Sequence, residues 1–270
     1  MMRHVVIGDV GGHLDTLLSE LTRLGVDPRT ATIPTDLSIV QVGDLIHRGP
    51  DSEEIIALVG RLMEANPGRW TQLAGNHEAQ YLRPPVFKWR DWICPAAADA
   101  LRNWWACGLL KVAAAIPTAG RDILVTHAGL TEGFWRTDLG CPMTAVEAAA
   151  LLNQAARDNS ACLFRPGVML TGRVDLTAGP LWAEAGRELI TSWEGNQMPF
   201  SQIHGHSSLI DWDGGGWRAH KEIVARTLLD LAACHETTLM ASGFIIGIDP
   251  QHGATPRQRW HAWELPTTPQ

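Results

Sequence analysis

The chain has one tyrosine, five phenylalanines and five cysteines in 270 residues. The cysteines (Cys94, Cys107, Cys141, Cys162, Cys234) are odd in number, and no Cys-x-x-Cys occurs. This argues against a disulfide framework or zinc knuckle and points to a reducing compartment, the cytoplasm. No run approaches the roughly 18 consecutive apolar residues of a membrane span, so none is expected. The opening Met1-Met2-Arg3-His4 runs into a strand pattern with no long apolar stretch and no small-residue cleavage site, so no signal peptide is expected. Basic charge is also short. A net charge of −7 provides no overall positive field, which argues against sequence-independent binding of nucleic acid or an anionic membrane but leaves room for a small phosphate pocket. Internal repeats and low-complexity tracts are lacking.

What is present suits one large α/β domain over 1–270: hydrophobic residues make up 45%, enough for a sizeable core. The twelve tryptophans read first as packing; a stacking platform for nucleobases is the sharper alternative.

Patterning divides the first half cleanly. Arg3 to Gly8 carries Val5-Val6-Ile7, a buried strand. Leu14, Leu17, Leu18, Leu21 and Leu24 follow at helical spacing. Ser38–Gly43 predicts a second strand, Ser52–Ala65 a second helix and Trp70–Ala74 a third strand. In such β-α-β-α-β folds, ligands gather at the carboxyl ends of strands. Residues 84–110, opened by Pro84-Pro85 and rich in tryptophan, predict a helical cap. Lys111–Pro117 and Arg121–Thr126 predict a strand pair, Thr144–Arg157 a helix, and Phe164–Glu184 a loop-rich stretch. Phe200–Ile203 predicts a short strand. Phe244–Ile248 and Arg259–Glu264 predict a closing hairpin, and 266–270 a frayed tail.

Polar blocks follow these apolar runs: Gly8-Asp9-Val10-Gly11-Gly12-His13, Gly43-Asp44-Leu45-Ile46-His47-Arg48-Gly49, Gly75-Asn76-His77-Glu78, Thr126-His127-Ala128-Gly129 and His204-Gly205-His206-Ser207. In type and order they resemble the calcineurin-like metallophosphoesterases, in the branch of bacterial and phage-type protein phosphatases and symmetrical diadenosine tetraphosphatases. That family reads Gly-Asp-x-His-Gly, Gly-Asp-x-x-Asp-Arg-Gly, Gly-Asn-His-Glu, His-Ala-Gly or His-Gly-Gly, then Gly-His. Two departures stand out: the His of the first block is Gly11 here, and the second Asp of the second block is His47.

The resemblance implies a four-layer α/β/β/α sandwich with a helical cap insertion. It implies a hydrolase in which metal-activated hydroxide attacks phosphorus directly. Asp44 would bridge two metals. Asn76, His127 and His206 would complete one site, while Asp9 would serve the other, short of its His. A mixed N/O donor set suits manganese, with iron or zinc as alternatives, at one or two ions per chain. His13 is a candidate replacement ligand; otherwise it is a first-turn residue facing solvent. The resemblance makes His77 the general acid, Arg48 the phosphate clamp and Asn76 a second substrate contact. With His47 in place of the orienting Asp, His77 should protonate less readily. The substrate is phosphorylated: a small molecule, nucleotide or phosphoprotein.

Individually, Asp9 and Asp44 would pass for helix N-caps, and Gly-Asn-His-Glu for a turn. Five ordered blocks are harder to explain that way. Gly11 and His47 support a second reading, a degenerate relative that binds a phosphorylated ligand or partner without turnover. His204 reads as a strand or supporting residue, and His220, His235, His252 and His261 as surface or structural. Arg165 and Arg173 match the family loosely and read as ordinary solvated arginines.

Overall fold

The computed structural model describes residues 2–90, 92–257 and 259–266. Its first half alternates as the pattern requires: β1 (Arg3–Ile7), α1 (Leu14–Arg23), β2 (Leu37–Gln41), α2 (Ser52–Ala65) and β3 (Trp70–Leu73). Two helices, α3 (Asn76–Leu82) and α4 (Pro95–Ala106), lead to the short β4 (Leu110–Lys111). These four strands pair in parallel and in sequence order.

Side chains alternate across each strand, and this sets the layering. Val5, Ile7 and Ile39 face outward onto Leu17, Leu21, Ile55 and Val59 of the first two helices. Val6, Val40 and Leu73 face inward and meet Ile123, Val125, Ile203 and Ile246 of a second sheet. That sheet contains β5 (Ala113–Ile116), β6 (Ile123–Thr126), β7 (Ser201–His204), β8 (Thr227–Asp230), β9 (His235–Leu239) and β10 (Phe244–Gly247), in the order β5-β6-β7-β10-β9-β8. Between β6 and β7 run α5 (Glu132–Thr137), α6 (Ala145–Arg157) and α7 (Val168–Thr171). Thr144 caps α6 by accepting the Glu147 N–H, and Ala145, Ala148 and Leu152 press the helix onto Leu124. The result is helix, sheet, sheet, helix, with the inner apolar seam between the sheets. Among the described residues no helix is long and apolar enough to cross a membrane.

Two expectations need correction. Lys111–Pro117 is not one strand. Leu110–Lys111 pairs with β3 and Ala113–Ile116 with β6, so the chain crosses between sheets at Val112. The Asn153 amide bridges the crossing: it accepts N–H groups of Val112 and Ala113 and donates to the Ala113 carbonyl. Phe244–Ile248 and Arg259–Glu264 do not form a hairpin. β10 lies between β7 and β9, whereas β11 (Trp263–Glu264) pairs antiparallel with β1 at the edge of the first sheet. The stretch Phe164–Glu184 is loop-rich as expected, interrupted by the four-residue α7, and a π-helical turn follows at Ala185–Ile190. In the expected cap stretch, α4 packs Leu101 and Ala97 into the outer helix layer. The irregular residues near Trp89 are the ones that approach the strand ends. Residues 267–270 of the expected frayed tail lie outside the described residues.

Candidate metal centre and active site

Each polar block sits where a strand of one sheet or the other ends. The loops after β1 and β2 are tied by Gln41, wholly buried, which donates to the carbonyls of Gly8 and Gly43 and accepts the Gly43 N–H. Glu78, also wholly buried, accepts three backbone N–H groups, from Asp44, Leu45 and Gly75. It thereby fixes the second block to the third. This fixing matters because Asp44, His47, Arg48 and His206 all have positive φ, between 51° and 71°. Non-glycine residues hold that conformation only when their surroundings over-determine it.

The donors converge. His127 Nδ1 lies 3.1 Å from the Val42 carbonyl, to which only an N–H can donate, so in the neutral ring Nε2 carries the lone pair. That Nε2 is 3.0 Å from Asn76 Oδ1 and 3.5 Å from Asp44 Oδ1. His206 Nδ1 is also 3.0 Å from Asn76 Oδ1. Ligand atoms of Asp44, His127 and His206 lie within 4.8 Å of one another, the spacing of donors around a cation held at about 2.0–2.2 Å. The lone pairs of neutral His127 Nε2 and Asn76 Oδ1, facing each other at 3.0 Å, fit a cation between them. Turning the Asn76 amide over would instead let its NH2 donate to the same atoms.

Asp9 accepts the His206 N–H through both oxygens at 3.1 Å. A Cβ on Gly205 would stand 2.0 Å from Asp9 Oδ1, so only glycine fits between the two blocks. Burial first, then the neighbouring carboxylates of Asp249 and Asp44, push the Asp9 carboxyl well above its ordinary range despite Arg48. Asp249, just past β10, is raised mainly by burial. For Asp44, burial works upward, but His77, His127 and His206 outweigh it and hold the carboxyl low. Three buried carboxylates beside one cavity are a setting that divalent cations stabilise.

His77 Nδ1 and His47 Nδ1 are 2.7 Å apart, and His47 Nε2 is 2.7 Å from the Tyr81 hydroxyl. Trp89 stacks on His47 at 5.0 Å. Burial lowers His77, against the raising effect of Asp44. Burial, then the His77 ring, bring His47 down to about 3. Arg48 borders two cavities. One, of about 300 Å³, is shared with Asp9, Asp44 and His206; the other, about 520 Å³, lies against Trp89 and Trp92.

The fold brings together Asp9, Asp44, Asn76, His77, His127, His206, His47 and Arg48. His13 does not join them and does not face solvent: it is 4% exposed, with Nε2 bonded to the Gly253 carbonyl. Arg165 is not free in solvent but paired with Asp138 through both terminal nitrogens. His204 is buried on β7. His252 is buried rather than a surface residue and borders the smaller cavity with Asp249. Asp249 had a usable signal, since it directly follows an apolar strand like the other blocks. Gln41, Tyr81 and His252 had none.

A two-sheet α/β sandwich with nitrogen and oxygen donors gathered at its strand ends is the metallophosphoesterase fold. The model of the calcineurin-like phosphoesterase family matches residues 2–218, and the chain belongs to that family. It is 29% identical over 169 residues to a symmetrical bis(5'-nucleosyl)-tetraphosphatase of Baumannia cicadellinicola, covering 58% of this chain and 51% of that protein. It is 37% identical over 81 residues to serine/threonine-protein phosphatase 2 of Escherichia coli, covering 30% and 32%. A zinc-dependent endopolyphosphatase of Saccharomyces cerevisiae is 29% identical over 90 residues, covering 32% and 25%. The chain thus spans between a quarter and about half of these curated relatives. A protein-tyrosine phosphatase of a psychrophilic Shewanella shares the fold at a TM-score of 0.52 and 18% identity, over 93% of this chain and 72% of that one.

Proposed function

We propose that the protein is a metal-dependent phosphoesterase that hydrolyses a phosphate monoester or phosphoanhydride. The observation that carries this is the cluster of Asp44, His127 and His206 ligand atoms within 4.8 Å of one another, with Asn76 Oδ1 3.0 Å from both imidazoles and the neutral His127 ring oriented for ligation by Val42. These four residues would hold one divalent cation, and Asp9 with Asp44 a second. Manganese suits the donors, with iron and zinc as alternatives. A bound cation would polarise a phosphoryl oxygen and acidify water. Around it, Arg48 holds the phosphoryl oxygens through its planar fork. Glu78 and Gln41 keep the blocks in register. His77 gives a proton to the leaving oxygen, and His47 fixes the orientation of its ring through Nδ1. Trp89 closes one side of the pair.

The named substrates of the relatives are a dinucleoside tetraphosphate and a polyphosphate, with protein phosphatases beside them. We extend to this chain only their shared chemistry, a phosphorylated small molecule, nucleotide or phosphoprotein. We place the enzyme in the cytoplasm, a reading supported by five unpaired cysteines. Gly11, which offers no side chain, favours a second reading: a relative that retains one metal and binds a phosphorylated ligand without turnover. Metal-stripped protein reloaded with manganese, assayed on an aryl phosphate beside Asp44→Asn, separates the two. Turnover absent from the variant supports the enzyme; phosphate binding by folded, metal-loaded wild type without turnover supports the other.

A further inference from the structure

Gly11 faces His252. A Cβ at Gly11 would stand 3.4 Å from His252 Cβ and 3.5 Å from Arg48 Cδ. His252 follows β10, so the far end of the chain fills the space beside the missing side chain. The residue is 2% exposed, and its ring meets His13 and Trp260 edge to face, each with centroids 5.4 Å away.

Its tautomer is set by the backbone. Nδ1 accepts the Arg257 N–H at 2.9 Å, and an amide N–H can only donate. Nδ1 is therefore the bare nitrogen, and the proton of the neutral ring is on Nε2. That Nε2 is buried and has no hydrogen-bond partner among the described residues. It belongs to a residue lining the cavity of about 300 Å³ shared with Asp9, Asp44, Arg48 and His206. A nitrogen that carries a proton does not ligate a metal. Ligation through Nε2 would need the proton on Nδ1, against the Arg257 amide. A buried donor without a partner is costly unless an acceptor arrives, and on the phosphoesterase reading the group that enters this cavity is a phosphoryl group, whose oxygens accept.

We propose that His252 is a phosphate-binding residue whose Nε2–H donates to a non-bridging phosphoryl oxygen, opposite the hold of Arg48. It replaces, with a hydrogen bond to substrate, what the side chain absent at Gly11 would have contributed through metal. The proposal rests on the phosphoesterase reading above.

Two variants test it in the full chain. His252→Phe keeps ring volume between His13 and Trp260 and removes the donor; His252→Gln keeps an N–H at similar reach. Binding of inorganic phosphate to the manganese-loaded protein is measured by calorimetry, with metal content, KM and kcat on an aryl phosphate. A hydrogen bond to a charged oxygen corresponds to about tenfold to hundredfold in affinity. The Phe variant should lose that much phosphate affinity with a parallel rise in KM and unchanged metal content, and the Gln variant should recover most of it. Unchanged phosphate affinity and KM in folded Phe variant would overturn the proposal, as would loss of a metal equivalent, which would make His252 a ligand. Ring nitrogen shifts of zinc-loaded wild type give an answer without substitution: a protonated Nε2 and bare Nδ1 are expected, and the reverse pattern overturns the assignment. Wild type that binds phosphate without hydrolysing it would count against the phosphoesterase reading alone, and the phosphate measurement would still decide His252.

Discussion

Replacing His47 by aspartate acts directly on the proposed general acid. In wild type, His77 Nδ1 meets another imidazole at 2.7 Å. The nearest carboxylate to its other nitrogen, Asp44 Oδ2, is 3.8 Å away. Burial holds His77 below its ordinary value, and His47 gives its cationic form no countercharge. An aspartate at 47 would supply one. Unit charges about 4 Å apart attract by about 4 kcal/mol at an effective dielectric near 20. Opposite charges at such distances shift pKa values by about 1–3 units. The sign follows from the role. A general acid must carry its proton, so kcat falls as pH rises through the His77 pKa, and raising that pKa moves the alkaline fall upward. The assay is the pH dependence of kcat for phenyl phosphate, whose poor leaving group needs the proton, with manganese-loaded wild type, His47→Asp and His47→Asn. The account expects the Asp variant to keep activity about 1–3 units further into alkali, and the neutral Asn variant to shift little. An alkaline limb at the same pH in wild type and the Asp variant, or an equal shift with Asn, would refute the reasoning.

Further outcomes follow from other parts of the molecule. Asn153→Ala removes three hydrogen bonds at the sheet crossing and should cost about 2–4 kcal/mol, seen as a fall in Tm of about 5–10 °C with metal affinity unchanged. Glu236 is buried and pushed up to about 8, mainly by that burial. A raised folded pKa means its stabilising effect is full below the unfolded pKa and lost as pH rises toward 8; the Tm of Glu236→Gln relative to wild type should therefore improve from pH 5 to pH 8, and a constant difference would contradict this. Gly11→His alone should crowd His252 and strain a position with φ of 56°. Combined with His252→Ala it should raise the number of tightly bound manganese equivalents, which equilibrium dialysis would measure.

The parts of the fold written in local pattern were legible. Val5-Val6-Ile7 and the leucines after it specify a strand and a helix whose faces are fixed by periods of 2 and 3.6 residues. The same logic located Asp9, Asp44, Asn76, His127 and His206 at strand ends, and these meet. Non-local pairing was harder. Val112 is one apolar residue in an apolar run, and nothing adjacent marks it as the point where the chain changes sheets; the partner that does so, Asn153, is some forty positions away. β8 and β9 were missed because their sequence, Thr227–Leu239, buries His235, Glu236 and Thr238 and exposes Leu228 and Leu239, which breaks the expected alternation. Glu236 is tolerated there because both its oxygens accept the Leu209 N–H. His252 reaches the site through packing against His13 and Trp260, which no spacing rule encodes.

The most direct measurement is turnover of an aryl phosphate as manganese is titrated into metal-stripped protein, followed with bound metal, for wild type and Asp44→Asn. The account predicts activity that rises with metal bound by wild type, and a variant that is folded but neither binds tightly nor turns over. Wild type that is folded and loaded with metal yet hydrolyses no faster than the variant would contradict it.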